Sequence, residues 1–407
     1  MSIFNDEIKS TGEVLRYGVK AIWGGIDISE QGNIGEGSYV FVIDSGVSSS
    51  TDDLNLNAEW SKSWVPGENA FTDGDGHGTH VAGTIAELVN SKGVIGVAAG
   101  AEGISLKVFD SNGSGASYST IIDAINYATN IINNNGLDKP KTVINLSLGG
   151  GYSEGMDIAI KNAANQGIRF AVAAGNSGND ADGYSPASAG DHPNIYTVSA
   201  VDNNYQMPSW SNWDDQSGGD DVDVAAPRVR VYSHYKNGQL AYLSDTSMAA
   251  PHVAGALLIG GIKNGEMVTP NQSGHSDPFA LAKSSGSINS DPLIDVESVG
   301  NTSLLKANGF SFAQSGNSSP LAITSADGTK LDDNTWSSWT VIGAESINGI
   351  NTSAWESNSG QLWLAQHDAN WKYVSSGGYA DQNSLEYFQA ESNFNQNFNQ
   401  DNIIGIG

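Results

Sequence analysis

From about residue 38 onward the chain alternates short apolar runs with segments whose apolar positions recur at helical spacing. The runs Tyr39–Ile43, Ile104–Phe109, Thr142–Leu146, Ile168–Ala173, Ile195–Ala200 and Val222–Ala226 are rich in Val and Ile. Most are apolar at successive positions, so both faces of each strand call for cover, as in a buried parallel sheet. Between them, Gly78–Leu88, Tyr118–Asn130 and Glu154–Asn165 predict helices, and a further helix begins near Ser247. Strand and helix in alternation predict an α/β fold: a three-layer sandwich around a mostly parallel central sheet.

The pattern changes twice near the end. From about Lys263 to Pro320 Ser, Gly, Asn and Asp dominate, with only scattered apolar residues, which reads as the tail of the first domain followed by a linker. Beyond it, Trp339–Ile342 and Gln361–Gln366 look like strands bounded by turn residues. Five of the ten tryptophans fall between Trp336 and Trp371, enough for the core of a small β-rich domain. A row of them left exposed would instead stack on sugars or hold a partner. The expected division is a first domain over 1–285, a linker over 286–320 and a β-rich domain over 321–407.

Composition removes several functions. The net charge is −27 with only 18 basic residues, too few for a phosphate-binding stripe, so neither nucleic acid nor an anionic membrane surface is an expected partner. The absence of cysteine excludes disulfides, thiolate metal sites and cysteine nucleophiles. The first twenty residues contain no apolar signal-peptide core, and no run approaches the length of a membrane span.

Three separated segments carry chemistry: VIDSG around Asp44, DGHGTHVAG around His77 and SDTSMAAPHVAG around Ser247. A serine hydroxyl needs a base to take its proton, and that base needs a carboxylate to hold its tautomer. Asp44 would end a strand, where ligands bind in open α/β sheets. His77 and Ser247 would each open a helix, with Pro251 in the first turn of the second. Taken singly, each residue has a plainer role as a turn, cap or core group. Asn176, in AAGNSG after a strand, offers an amide N–H₂ for a developing oxyanion.

These motifs, in the order Asp, His, Ser, resemble those of the subtilisin-like serine proteases, the subtilase family, and the resemblance runs from about Tyr17 to Ile262. It implies an endopeptidase with Asp44 as the triad aspartate, His77 as general base, Ser247 as nucleophile and Asn176 as oxyanion donor. His80 and His252 match positions that support packing. Ser147-Leu148-Gly149 and the loop Gly113-Ser114-Gly115 resemble the edges that hold an extended peptide by strand addition. Ala174, Gly175 and Tyr184 resemble parts of the pocket for the P1 side chain, the residue before the scissile bond. Small, uncharged walls imply a preference for large apolar P1 residues. No cofactor is implied for the chemistry; structural calcium is compatible with the acidic surface, with no ligands assigned. The expected partner is a protein or peptide substrate and the expected state a monomer.

Two features depart from the family pattern. Asp245 stands where glycine is usual; if that position needed positive φ the aspartate would be strained, and its carboxylate would perturb His77. Only 43 residues precede Asp44, so the chain starts like a mature enzyme without a prodomain. The ending resembles a tryptophan-rich C-terminal domain of cyanobacterial proteins. Its calcium-loop-like pattern is represented by Asn397, Asn399, Asp401, Asn402, Ile404 and Gly405, with too few carboxylates for a full site. The resemblance implies an extracellular or cell-surface location by a leaderless route, with the cytoplasm as the alternative. A catalytically impaired surface or adhesion protein, and a processing protease with few substrates, are the rival functions.

Overall fold

The computed structural model of the chain describes residues 5–50, 52–214, 221–283, 294–297, 301–307, 310–316, 321–326, 331, 339–357, 359–382, 384–394 and 398. It divides into two compact units, residues 1–288 and 289–407. The first is built on a ten-stranded sheet. Its principal strands are β1 (Tyr39–Asp44), β2 (Glu102–Lys107), β3 (Thr142–Leu146), β4 (Arg169–Ala173), β5 (Ile195–Val201), β6 (Val224–Pro227), β7 (Ile262–Met267) and β8 (Pro278–Ala282). They run in the order β7-β8-β6-β5-β4-β3-β1-β2, with two-residue strands at Asn55–Leu56 and Lys62–Ser63 beyond β2. Every pairing is parallel except β7 with β8.

The pleat explains the doubly apolar strands. Along β1, Val40 and Val42 point into one core while Phe41 and Ile43 point into the other, and all four are buried. The first core is closed by α1 (Tyr17–Ile22), α2 (His77–Ala86) and α5 (Thr246–Leu258). The second is closed by α3 (Tyr118–Asn134) and α4 (Glu154–Ala164). Helix, sheet and helix give the three expected layers. Strand β1 pairs with both β2 and β3, so the winding direction reverses beside it. Such a reversal opens a crevice at the carboxyl ends of the strands.

Two expectations need correction. Pro251 lies in the second turn of α5, inside the helix rather than in its first turn. The stretch 286–320 is not plain linker: strands occur within it at Ile294–Glu297 (β9), Thr302–Ala307 (β10) and Phe310–Ser315 (β11). With Leu321–Ala322 (β12) they form a four-stranded antiparallel sheet, and buried Leu304 and Ala313 show why the scattered apolar residues matter.

A second antiparallel sheet of the same unit comprises β13 (Trp339–Ile347), β14 (Ile350–Ser357), β15 (Leu362–His367) and β16 (Tyr373–Ala380). Trp355 and Trp371 are buried in its core, with Trp339 and Trp363 half-buried against it. The other side is covered by α6 (Leu385–Phe394) through Tyr387, Ala390 and Phe394. Among the described residues no helix is long and apolar enough to cross a membrane.

Candidate active site

The site forms where β1, β3 and β4 end and α2 and α5 begin. Asp44 is the last residue of β1 and is buried; His77 is the first residue of α2 and half-buried. Helix α2 comes this close to β1 because residue 78 is glycine: a Cβ there would lie 2.1 Å from the Gly46 carbonyl oxygen. Asp73 holds the helix start, accepting from the N–H groups of Gly76 at 2.7 Å and Thr79 at 2.9 Å and from the Ser45 hydroxyl at 2.9 Å. The result is a two-point contact, with His77 Nδ1 2.9 Å from Asp44 Oδ1 and 3.0 Å from Oδ2. An Nδ1 proton held by the carboxylate leaves the Nε2 lone pair free to accept one.

Ser247 is the second residue of α5, and α2 and α5 pack against each other. Pro251 has no N–H to give the Ser247 carbonyl, four residues earlier. The Ser147 hydroxyl takes that carbonyl instead at 2.8 Å, itself held by Asn145 Nδ2 at 3.0 Å. Ser147, expected at the peptide-binding edge, therefore uses its hydroxyl to fix the backbone of Ser247. Among the described residues the Ser247 hydroxyl makes no hydrogen bond to His77. In free enzymes this contact is commonly long and tightens only when substrate is bound.

Asn176 is exposed on the loop after β4. Its Oδ1 accepts from the Thr246 N–H and from the Thr246 hydroxyl, both at 2.9 Å. Because a backbone N–H can only donate, this fixes the amide's orientation and leaves its N–H₂ available. The Ser247 N–H belongs to the first turn of α5, where no intrahelical acceptor exists, and Asp245 makes no side-chain cap bond. The loop carrying Asn176 is shaped by buried Asn212, which donates to the Ala174 carbonyl at 2.9 Å and accepts from Ser177 N–H at 2.9 Å. A Cβ on Gly175, at φ 106°, would meet Asn212 Nδ2 at 2.5 Å. Sequence reasoning missed both Asn212 and the side chain of Thr246, because single polar residues in loops carry no periodic signal.

Beside Ser247 lies a cavity of about 380 Å³, walled by Leu148–Gly151, Ala173–Ser177, Tyr184–Ala187 and Thr246. Among the described residues no charged residue lines it. Leu148, Gly149, Ala174, Gly175 and Tyr184 are all among the residues that line it. Its two walls are joined by antiparallel pairing of Tyr184 with Gly151 and Ser185 with Gly150. Tyr184 is further steadied by Asn179 Nδ2, which donates to its hydroxyl at 3.1 Å. Gly113, Ser114 and Gly115 form an exposed turn outside the cavity, closed by Asp110 N–H on the Ser114 carbonyl at 2.8 Å.

His80 and His252 are fully buried, and burial pulls both imidazoles down to about 3, so they are neutral. His80 Nε2 donates to the Val231 carbonyl at 2.9 Å and His252 Nδ1 to that of Met248 at 2.8 Å, which is a packing role. At His77 burial also pulls downward. The charge and hydrogen bond of Asp44, then the charges of Asp245 and Asp75, outweigh it and raise the pKa to about 9.

Asp245 is extended at φ −169°, so its position demands no glycine and carries no strain. One of its oxygens, Oδ1, is buried and has no hydrogen-bond partner among the described residues. Its consequence is electrostatic. A base must be neutral to accept a proton, so the acid limb of kcat/KM is expected near pH 9 and activity rises through it. Asp245→Asn removes one charge that favours imidazolium, so the limb moves to lower pH and the variant is the faster enzyme at neutral pH. A pH–rate profile for both proteins checks this, and an unmoved limb contradicts it.

Asp53, Glu87 and His234 form the one buried group of three metal-binding side chains among the described residues. His234 Nδ1 is 2.7 Å from Glu87 Oε1 and 3.7 Å from Asp53 Oδ2. The buried guanidinium of Arg16, bonded to the carbonyls of Ile95 and Tyr232, adds positive charge acting on both carboxylates. A set that includes a nitrogen and a balancing cation does not fit calcium, which takes oxygen ligands. The C-terminal residues Asn397, Asn399, Asp401, Asn402, Ile404 and Gly405 lie outside the described residues.

Comparison with known proteins places the molecule among the serine endopeptidases. A family model described as the subtilase family matches residues 35–272, more than half of the chain, and the chain belongs to that family. Subtilisin DY of Bacillus licheniformis is 40% identical over 245 residues, covering 60% of this chain and 83% of that protein. Subtilisin E of Bacillus subtilis (strain 168) is 42% identical over 231 residues, and the match spans 56% of each chain. A crystal structure of a cold adapted subtilisin-like serine proteinase aligns with a TM-score of 0.51 at 29% identity, covering 62% of this chain and 90% of that one. A second model, the tryptophan-rich Synechocystis species C-terminal domain, matches residues 302–405, which begins inside the stretch expected to be linker.

Proposed function

We propose that the chain is an active endopeptidase that cleaves peptide bonds through an acyl-enzyme on Ser247. The observation that carries this reading is the Asp44–His77 pair, closed at 2.9 and 3.0 Å at the rim that also holds Ser247. Ser247 Oγ attacks the scissile carbonyl carbon while His77 Nε2 takes the hydroxyl proton. The carbonyl oxygen becomes an oxyanion between Asn176 Nδ2 and the Ser247 N–H. As the tetrahedral centre collapses, the C–N bond breaks and His77 returns its proton to the leaving amine. Water then repeats the sequence on the ester, releasing the acid and restoring the serine. Asp44 keeps the imidazole in one tautomer and stabilises its cation throughout.

The uncharged cavity beside Ser247 favours large apolar P1 side chains and has room for an aromatic ring. The catalytic unit extends to about residue 285 and the tryptophan-rich module follows. Protein or peptide is the substrate, no cofactor enters the chemistry, and calcium, where held, serves structure. The enzyme works as a monomer outside the cell or at its surface, as the resemblance to subtilisins supports.

A fluorophosphonate probe tests the reading directly. The folded protein is expected to be labelled on Ser247 at alkaline pH, and Ser247→Ala to lose all label. Absence of label on the folded wild type would favour the impaired surface-protein reading. Mass spectrometry of a casein digest then separates broad degradation from restricted processing.

A further inference from the structure

We infer that the C-terminal unit carries a binding site for a neutral carbohydrate chain, made of a cavity lined from both of its sheets and an aromatic row that leads out of it along β15 and β16. The cavity holds about 530 Å³, in the range of small-ligand sites. Ser315 of β11, Ile350 and Asn351 of β14 and His367 of β15 line it, with Asp368 and Trp371 just beyond β15.

His367 points to a ligand. It is 5% exposed, and burial pulls its imidazole down to about 4, so the ring is neutral. Its Nε2 is 2.8 Å from the Ser353 hydroxyl, which accepts from Trp355 Nε1 at 2.8 Å. An indole N–H only donates, so the Ser353 hydroxyl gives its own proton to Nε2 and the imidazole proton sits on Nδ1. The Trp371 backbone is near enough to act on the ring, yet Nδ1 is buried and completes no hydrogen bond among the described residues. A buried donor left without a partner is costly, and a ligand hydroxyl in the cavity relieves it. Asn351 Nδ2 donates to the Asp368 carbonyl at 2.9 Å, which leaves its Oδ1 to accept.

The row begins at the same imidazole. His367 pairs across the strands with Tyr373, and Trp363 with Tyr379, so all four rings share one face of the sheet. Ring centres lie 6.3 Å apart from His367 to Tyr373, 6.2 Å from Tyr373 to Trp363 and 6.3 Å from Trp363 to Tyr379. Exposure rises outward: His367 is buried, Tyr373 and Trp363 are half-buried and Tyr379 is 62% exposed. Strand β16 is the sheet edge, and between its two tyrosines it carries only Val, Ser, Ser, Gly and Gly. The Ser376 hydroxyl accepts from Trp363 Nε1 at 2.9 Å, so that indole is held in place within the row.

These groups select a ligand class. Sugar rings offer C–H faces that pack on aromatic rings and hydroxyls that need both donors and acceptors. Among the described residues no lysine or arginine lines the cavity, and none lies on β16, so nothing there holds a phosphate or a carboxylate. The one carboxylate, Asp368, is exposed, and its Oδ1 accepts from the N–H groups of Asn370 and Lys372 in its own turn.

Affinity electrophoresis of the full chain tests the assignment, with hydroxyethyl cellulose, galactomannan or glycogen in the native gel as neutral probes and alginate as the anionic control. At least one neutral polymer is expected to retard the wild type, and alginate is not. Tyr379→Ala removes the exposed ring and should weaken retardation about tenfold, the size of one aromatic stacking contact. Tyr379→Phe keeps the ring and should keep the binding. Asn351→Ala removes the acceptor at the cavity and should also weaken it, with near-ultraviolet circular dichroism of the tryptophans unchanged. Retardation by none of the neutral polymers, by alginate as strongly as by them, or undiminished in either alanine variant overturns the assignment. The outcome is independent of whether Ser247 takes a fluorophosphonate label.

Discussion

Asp44→Asn is expected to lower kcat by about 10⁴-fold while leaving the fold intact, a magnitude taken from the equivalent change in another serine protease. The reason is tautomeric. Asp44 accepts from His77 Nδ1 through both oxygens at 2.9 and 3.0 Å, so the Nδ1 proton is fixed and Nε2 presents a lone pair. An asparagine offers an N–H₂ as readily as a carbonyl. When it donates to Nδ1 the proton moves to Nε2, and the imidazole can no longer accept from Ser247. The variant also loses the charge that does most to raise the pKa of His77, so more of the ring is neutral at pH 7. The two effects oppose each other, and their separation is the check. The acid limb should move to lower pH while the plateau falls by orders of magnitude. Labelling by a fluorophosphonate should slow in parallel, with circular dichroism unchanged. A plateau within tenfold of wild type would mean that the Asp44–His77 contact is structural.

Much of this centre was legible in the sequence, for a physical reason. Asp44, His77 and Ser247 each sit in a contiguous motif because each needs its immediate neighbours: Gly78 for close approach and Thr246 to hold Asn176. The strands of the central sheet were legible because burial on both faces leaves little room for polar residues, as in Val40–Ile43. What was missed depends on partners distant in sequence or on elements too short to show a period. Helix α1 has six residues, fewer than two turns. Strand β7 has one buried residue in six and sits at the sheet edge, so its composition looks like loop. Asn212 acts through hydrogen bonds to residues more than thirty positions away. The grouping of Asp53, Glu87 and His234 likewise exists only once the chain is folded. The shift of His77 by Asp245 was foreseeable from their nearness to the nucleophile; the absence of strain at Asp245 was not, because it depends on a backbone angle.

The oxyanion donors can be separated from the triad by Asn176→Ala. That change should cost about 10²–10³-fold in kcat, the range established by removing the corresponding donor in subtilisin itself rather than obtained from these distances. KM should change little, because the ground-state carbonyl gains less from the amide than the tetrahedral oxyanion does. The acid limb of the profile should stay where it is, since Asn176 carries no charge and His77 keeps its neighbours. That distinguishes the variant from Asp44→Asn, in which limb and plateau both move. One complication is built into the loop. Asn176 Oδ1 accepts from the N–H and hydroxyl of Thr246, so alanine also removes a brace on the start of α5. Asn176→Asp keeps the acceptor and removes the donors, and it sets a second negative charge against the oxyanion. It should be at least as slow as the alanine variant. An aspartate variant near wild-type activity would show that the Asn176 side chain serves only to hold Thr246, leaving the Ser247 N–H as the sole donor.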